Sequence, residues 1–224
     1  MDHRALRSYV VRTGRMTDAQ QRAFVDLWPR FGVSYGDTAL DLPALFGRHA
    51  PCTLEIGFGN GEHLAARAQA DPERNFLGVE VHRPGIGHLL RIAAAATLSN
   101  LRIIAHDAVE VLQNQITPGA LDEIQILFPD PWPKKRHHKR RLIQPHFAML
   151  AAGRLRTGGL LRLATDWAPY AEHMRQVLND CPLLMPFGEG PSTVKPAGRT
   201  ATRFERRGLR LGHGVSDLGY QRKA

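Results

Sequence analysis

Cysteine is scarce in this sequence: Cys52 and Cys181 stand alone and far apart. That excludes a disulfide framework and the paired-cysteine spacings of zinc sites, and it suits a reducing compartment. Long apolar runs are missing as well, none approaching the roughly 20 residues that span a bilayer. The N-terminal stretch MDHRALRSYVVRTGRM carries arginines but no apolar segment followed by small residues. It is therefore not read as a secretory signal, and the cytoplasm is the expected compartment, with no membrane partner. Internal repeats and long low-complexity tracts are also lacking. Negative charge is in short supply, 21 Asp and Glu against 30 Lys and Arg, for a formal net of +9.

The distribution of that charge says more than its sum. Residues 134–141, KKRHHKRR, contribute +6, and residues 195–224 contribute another +6, so the other 186 residues sum to −3. A single charged run is often only a solvated face, but two blocks on an otherwise slightly acidic chain read as a footprint for a polyanion. With 224 residues, 43% of them hydrophobic, the chain is long enough for one ordinary core and a small terminal elaboration.

Thr17, Asp18 and Gln20 form a capping-box pattern for a helix through DAQQRAFVDLW, with Pro29 expected to stop it. Gly32, Gly36, Pro43 and Pro51 mark loops, so residues 1–50 are expected to be an appended helical or flexible extension and residues 51–224 the main domain. From residue 52 the runs CTLEIGF, NFLGVEVH, LRIIAHD, LDEIQILF and GLLRLATDW read as strands. Helical patterns (GEHLAARAQA, PGIGHLLRIAAAATL, AVEVLQNQI, IQPHFAMLAAGRL, PYAEHMRQVLND) lie between and after them. This alternation predicts an α/β fold, a Rossmann-like, doubly wound and mostly parallel sheet. Such sheets bind ligands at the carboxyl ends of their strands, which is where the unusual polar residues of this chain fall.

LEIGFGNGEHL, residues 54–64, is strand, glycine turn and helix. Gly57, Gly59 and Gly61 let the backbone turn tightly and approach a ligand. A dinucleotide fingerprint starting at Gly57 would need a small residue where Glu62 stands, and an anion at a helix N-terminus repels pyrophosphate. The spacing is instead E-x-G-x-G-x-G from Glu55. Glu80, at the end of the second strand, is placed for ribose hydroxyls, and Asp107, at the end of the third, for an adenine amino group. Acids at three successive strand ends fit S-adenosylmethionine better than NAD. Each has a plainer reading as a helix cap or first-turn acid, strongest for Asp107.

The fourth strand runs into Pro129-Asp130-Pro131-Trp132-Pro133, where three prolines stiffen the loop that presents Asp130 and Trp132. An acid beside an aromatic ring suits a flat, hydrogen-bonding acceptor such as a nucleobase, the alternative being a rigid turn over the core. The basic run follows at once and would hold phosphates beside that base. His137 and His138 sit among six positive charges, which disfavour a cation, so no metal is expected. Asp166 could accept from guanine N1–H and N2–H groups, or cap the helix after it.

LEIGFGNGEHL, GVEVHRPGIG, HDAVEVL, FPDPWPKKRHHKRR, ATDW with PYAEHM, and TRFERRG with RLGHGV, in this order, resemble the bacterial tRNA (guanine-46-N7)-methyltransferase family, a class I methyltransferase group. The likeness covers about residues 54–222, and RSYVVRTGRMT is similar to the family's opening. It implies a Rossmann-like domain that methylates N7 of a variable-loop guanine in tRNA, using S-adenosylmethionine and needing no obligate protein partner. Carried onto matching positions, Glu55, Glu80, Asp107 and Asp130 would bind the donor, with Asp130 the active-site residue. Lys134, Asp166, Thr202, Arg203, Phe204 and Glu205 would meet the substrate, and Arg136, His137, His138, Lys139, Arg140 and Arg141 would lie on RNA. Two residues depart from the pattern: Arg203 replaces a frequent Lys, and Ser216 replaces a Trp, which puts the packing of the last strand in question. Methylation of another nucleobase nitrogen, and a nonenzymatic RNA-binding protein on the same scaffold, are the competing readings. An NAD(P) oxidoreductase is disfavoured by Glu62 and by the lack of a placeable catalytic His or Tyr-Lys pair.

Overall fold

The computed structural model describes residues 8–9, 15–188 and 214–224. Thr17 caps α1 (Asp18–Asp26): its hydroxyl accepts from the Gln20 backbone N–H at 3.3 Å while Gln20 Oε1 accepts from Thr17 N–H at 2.9 Å. Pro29 does not stop the helical path. It lies in the first turn of a second short helix, α2 (Trp28–Phe31), where a missing N–H has no partner to lose. There follow β1 (Gly32–Val33), α3 (Leu42–Phe46), β2 (Cys52–Ile56), α4 (Glu62–Ala70), β3 (Asn75–Val79), α5 (Arg83–Ala95), β4 (Leu101–Ile104) and α6 (Ala108–Asn114). The second half holds β5 (Leu121–Leu127), a 3-10 helix (Lys135–Arg140), α7 (Pro145–Arg154), β6 (Leu155–Thr165), α8 (Ala168–Asn179), β7 (Leu184–Pro186) and β8 (Ser216–Arg222).

Among the described residues these strands form one eight-stranded sheet in the order β1-β4-β3-β2-β5-β6-β8-β7. It is parallel from β1 through β6, and β8 runs antiparallel to both β6 and β7. The five strands expected from residue 52 onward are all present. β1 and β7 were not expected, because two or three residues are too few to show a period. Ser216 pairs with Thr165 and does not disturb β8, whose Leu218 and Tyr220 are buried.

The sheet separates two apolar layers. Leu54, Ile56, Ile126 and Leu163 pack with Val111, Phe147 and Met174 of α6, α7 and α8. Phe76 and Ile103 pack with Leu64, Leu89 and Leu90 of α4 and α5, and Ala23 of α1 joins them. Each fully buried Leu, Ile, Val, Phe or Met among them contributes about 1.5–3 kcal/mol. Residues 18–46 of the expected extension are part of this construction. β1 lies on β4, and Gln20 of α1 donates to the Pro84 carbonyl of α5 at 3.0 Å.

Candidate functional site

The strand order reverses between β2 and β5, and the loops leaving β2, β3, β4 and β5 enclose a cavity of about 300 Å³ at their carboxyl ends. Gly57, Glu80, Asp107 and Asp130, from four successive loops, all line it. Ile56, Val79, Ile126 and Leu142 give it an apolar wall.

The glycine turn serves two purposes. Gly57 has φ 72° and a Cβ there would enter open space, so the backbone faces the cavity bare. Gly61 has φ 75° at the N-terminus of α4, where a Cβ would meet Leu89 at 2.7 Å; its role is packing, and it does not line the cavity. Gly59 lies between them on the cavity wall and donates its N–H to Glu80 Oε2 at 2.8 Å. Glu80 Oε1 accepts from Val81 and His82 N–H at 2.7 and 2.9 Å. Three of the roughly four acceptor positions of this carboxylate are thus engaged, leaving about one for a ribose hydroxyl. Asp107 caps α6, its Oδ1 accepting from Val109 N–H at 2.8 Å, and also faces the cavity. The capping reading therefore holds, and the carboxylate stands on the cavity wall as well.

Glu55 lies elsewhere. It is buried beneath the glycine turn, 2.9 Å from His63 Nδ1, and does not line the cavity. The sequence missed His106, which does. Its ring stacks on Tyr35 with centroids 3.5 Å apart and bonds to Glu110, while the Tyr35 hydroxyl accepts from Asn114 Nδ2 at 2.6 Å. Its position just before Asp107 was the only signal that could have found it.

Asp130 is exposed at the cavity mouth. Its loop is bounded by Phe128 with φ 54° and Trp132 with φ 44°, left-handed conformations that cost on the order of 1–3 kcal/mol each and persist only where surroundings fix them. Phe128 N–H continues the β5–β6 ladder to Ala164 O at 2.7 Å. Trp132 Nε1–H donates to Ser8 O at 3.0 Å, which brings Ser8 and Tyr9 to the cavity wall.

The basic run folds back on this loop. Lys134, Lys135, Arg136 and Lys139 are exposed, and His137, His138 and Arg140 are half-buried. Arg140 lies over the Trp132 ring at 4.5 Å, and the His137 ring meets its edge at 5.9 Å. Loss of solvent, and then the Arg136, Arg140 and Lys134 charges, push the His137 imidazole below its ordinary value. Arg141, expected on RNA, is turned inward. It is 4% exposed, donates from Nε to the Pro131 carbonyl at 2.9 Å and lies 4.8 Å from the Tyr170 ring. Burial pushes the Tyr170 phenol up to about 12.

Asp166 follows β6 and is half-buried, outside the lining of this cavity. It does not cap the next helix, whose N-cap position is Trp167. Thr202, Arg203, Phe204 and Glu205 lie outside the described residues. Among the described residues no group of three or more His, Cys, Asp or Glu could hold a metal ion. The cavity fits an adenosyl sulfonium: a bare Gly57, apolar walls, spare acceptor capacity on Glu80, and carboxylates at Asp107 and Asp130 that favour a cation.

A family model described as "Putative methyltransferase" matches residues 49–218. The chain is 55% identical over 216 residues to the tRNA (guanine-N(7)-)-methyltransferase of Leifsonia xyli subsp. xyli, covering 96% of this chain and 95% of that protein. It is 50% identical over 220 residues to the protein of the same name from Photorhabdus laumondii subsp. laumondii, covering 98% and 92%. Among solved structures, the 16S rRNA methyltransferase KamB shares the fold with a TM-score of 0.56 at 16% identity, over 96% of this chain and 99% of that one.

Proposed function

This chain belongs to the family of the tRNA (guanine-N(7)-)-methyltransferases, and from that premise we propose that it methylates N7 of guanine 46 in the tRNA variable loop, with S-adenosylmethionine as donor. The observation that carries the reading is the meeting of Glu80, Asp107 and Asp130 on one cavity, with a cationic 3-10 helix beginning a few residues after Asp130. Residues 51–224 would form the methyltransferase domain, to which the first 50 residues add Ser8 and Tyr9 at the cavity wall. No helix among the described residues is long and apolar enough to cross a membrane, and a tRNA substrate would suit a cytoplasmic protein.

Glu80, Asp107 and the turn at Gly57 and Gly59 would hold the donor's nucleoside, and Asp130 would lie towards its sulfonium. Bound there, S-adenosylmethionine supplies an electrophilic methyl group: the N7–carbon bond forms as the carbon–sulfur bond breaks, its electron pair stays on sulfur, and positive charge passes to the base. Guanine N7 offers an in-plane lone pair and no proton, so the chain needs no general base at this atom. What it supplies is positioning and a negative charge near the base as it becomes cationic, the role given to Asp130. Lys134, Arg136, His138, Lys139 and Arg140 would hold phosphates on either side of the base, giving affinity without sequence information. Asp166 and the segment Thr202-Arg203-Phe204-Glu205 would meet the guanine.

The test is methyl transfer from labelled S-adenosylmethionine to unmodified bulk tRNA, followed by borohydride reduction and aniline cleavage. Label and cleavage at a variable-loop guanine are the expected result. Label on another nucleobase would leave a methyltransferase with a different acceptor, and donor binding without transfer to tRNA would overturn the substrate.

A further inference from the structure

The loop that carries Asp130 is strained at both ends, and several of the contacts that hold it come from the basic run that follows it. Arg141 makes the inward one. Its Nε–H donates to Pro131 O at 2.9 Å, one residue after Asp130, and its guanidinium carbon lies 4.8 Å from the Tyr170 ring of α8. Tyr170 is itself fixed, fully buried, with its hydroxyl accepting from Ile143 N–H at 3.2 Å. The chain path is closed by Arg141 N–H donating to His138 O at 3.0 Å and Gln144 Nε2 donating to the same carbonyl at 3.0 Å. Arg141 Nη2 is buried without a hydrogen-bond partner among the described residues, so no phosphate reaches it unless this packing opens. A planar fork that both stacks and hydrogen-bonds is something lysine does not reproduce.

We infer that Arg141, although last in a run of cations, is a positioning residue for the Asp130 loop and takes no part in RNA contact, an inference that rests on the methyl-transfer reading of that loop. Arg141 clamps the Pro131 carbonyl to Tyr170 of α8, and so fixes where Asp130 stands on the cavity wall and how Trp132, two residues on, is held. Arg140, stacked on the outer side of Trp132 at 4.5 Å, and Arg141 beneath then make the phosphate-binding helix and the reactive loop one mechanical unit. A small misplacement of a reacting group costs rate, not affinity for the distant parts of the substrate.

The experiment compares R141K and R141Q with R136A, an exposed member of the same basic run, in the full chain. Steady-state kinetics with tRNA, the salt dependence of tRNA binding, and Trp132 emission in a W28F/W167F background are measured. For R141Q and R141K the expected result is a kcat lower by about tenfold to a hundredfold, with KM for tRNA and the salt slope unchanged and Trp132 emission shifted to the red. For R136A the effects fall on KM and the salt slope, which drops by about 0.7–0.9. A salt slope reduced in R141Q as in R136A, with kcat intact, would make Arg141 a phosphate contact and overturn the inference. So would full rescue by R141K, since the charge alone would then suffice. Should R141Q fail to fold, R141K, which keeps the stem and the charge, carries the same readouts. If the wild type methylates no tRNA, the function reading fails, yet Trp132 emission unchanged in R141K would still sink the positioning role and a red shift would still support it.

Discussion

A single carboxylate, Asp130, lines the cavity a few residues before the basic helix, and its neighbours decide what it can do. It lies exposed on a loop braced by three prolines, by Trp132 on Ser8 and by Arg141 on Pro131. On the proposed reading its charge would offset the cation that develops on the methylated base, and N7 has no proton for it to take. Asp130→Asn should therefore lower kcat by about a hundredfold to a thousandfold, the usual scale for one electrostatic contributor. The pH–rate profile of the variant should keep the shape of the wild type's, and disappearance of one limb would make Asp130 a base instead. At this scale the sequence was legible where an acid ends a strand: Glu80, Asp107 and Asp130 do converge on one cavity. What it did not show is that Glu55 and Arg141, which share a motif with cavity and surface residues, point into the protein, because direction depends on packing that spacing does not encode.

Whole elements impose their own constraints on the site. α5 begins against the glycine turn so closely that a Cβ on Gly85 would stand 2.0 Å from Gly59 O. Gly59 N–H in turn donates to Glu80, so a shift there passes directly to the donor cavity. Gly85→Ala should weaken S-adenosylmethionine binding at least about tenfold and cost about 1–3 kcal/mol of stability, readable by titration calorimetry and urea unfolding. Unaltered affinity would separate the turn from donor binding. Across the sheet, Glu123 of β5 joins α4 to β6. It lies 3.3 Å from Arg67 Nη1 and 3.0 Å from Arg162 Nε, and accepts from Gln125 Nε2 at 2.6 Å. Burial raises its pKa, but Arg67, Gln125 and Arg162 more than reverse this and hold it below the usual carboxylate range. A lowered folded-state pKa favours folding while the group is ionised, fully above about pH 4.3, and the gain disappears as pH falls through the folded value. Glu123→Gln should therefore be less stable than wild type by about 2–3 kcal/mol at neutral pH, with a gap that narrows below about pH 4. A gap that widens in acid would reverse the assignment. The five long strands and the helices between them were legible because apolar periods run through them. α2, β1 and β7 are held by tertiary packing over two to four residues and leave no period to read.

For the molecule as a whole the question is where its excess charge acts. The chain is +9, with +6 in residues 134–141. Folding divides that block: Arg141 is withdrawn into the protein and Arg140 is half-covered by Trp132, while Lys134, Lys135, Arg136 and Lys139 face solvent. Loss of solvent and the Arg136, Arg140 and Lys134 charges hold the His137 pKa down, which disfavours its charged form. The solvent-facing cations follow the Asp130 loop in the chain, so on the proposed reading RNA affinity and the placement of one base near Asp130 would be governed by neighbouring residues. Counterion release then gives a quantitative expectation. Replacing Lys135, Arg136 and Lys139 together by Gln should flatten the log–log salt dependence of tRNA binding by roughly 2–3, at about 0.7–0.9 for each phosphate no longer neutralised. Binding of S-adenosylmethionine should be unchanged, because none of the three lines the donor cavity. Filter binding across a salt series, with donor titration in parallel, measures both. An unchanged slope would move the RNA footprint off this helix and onto the C-terminal block, where residues 195–224 carry the other +6.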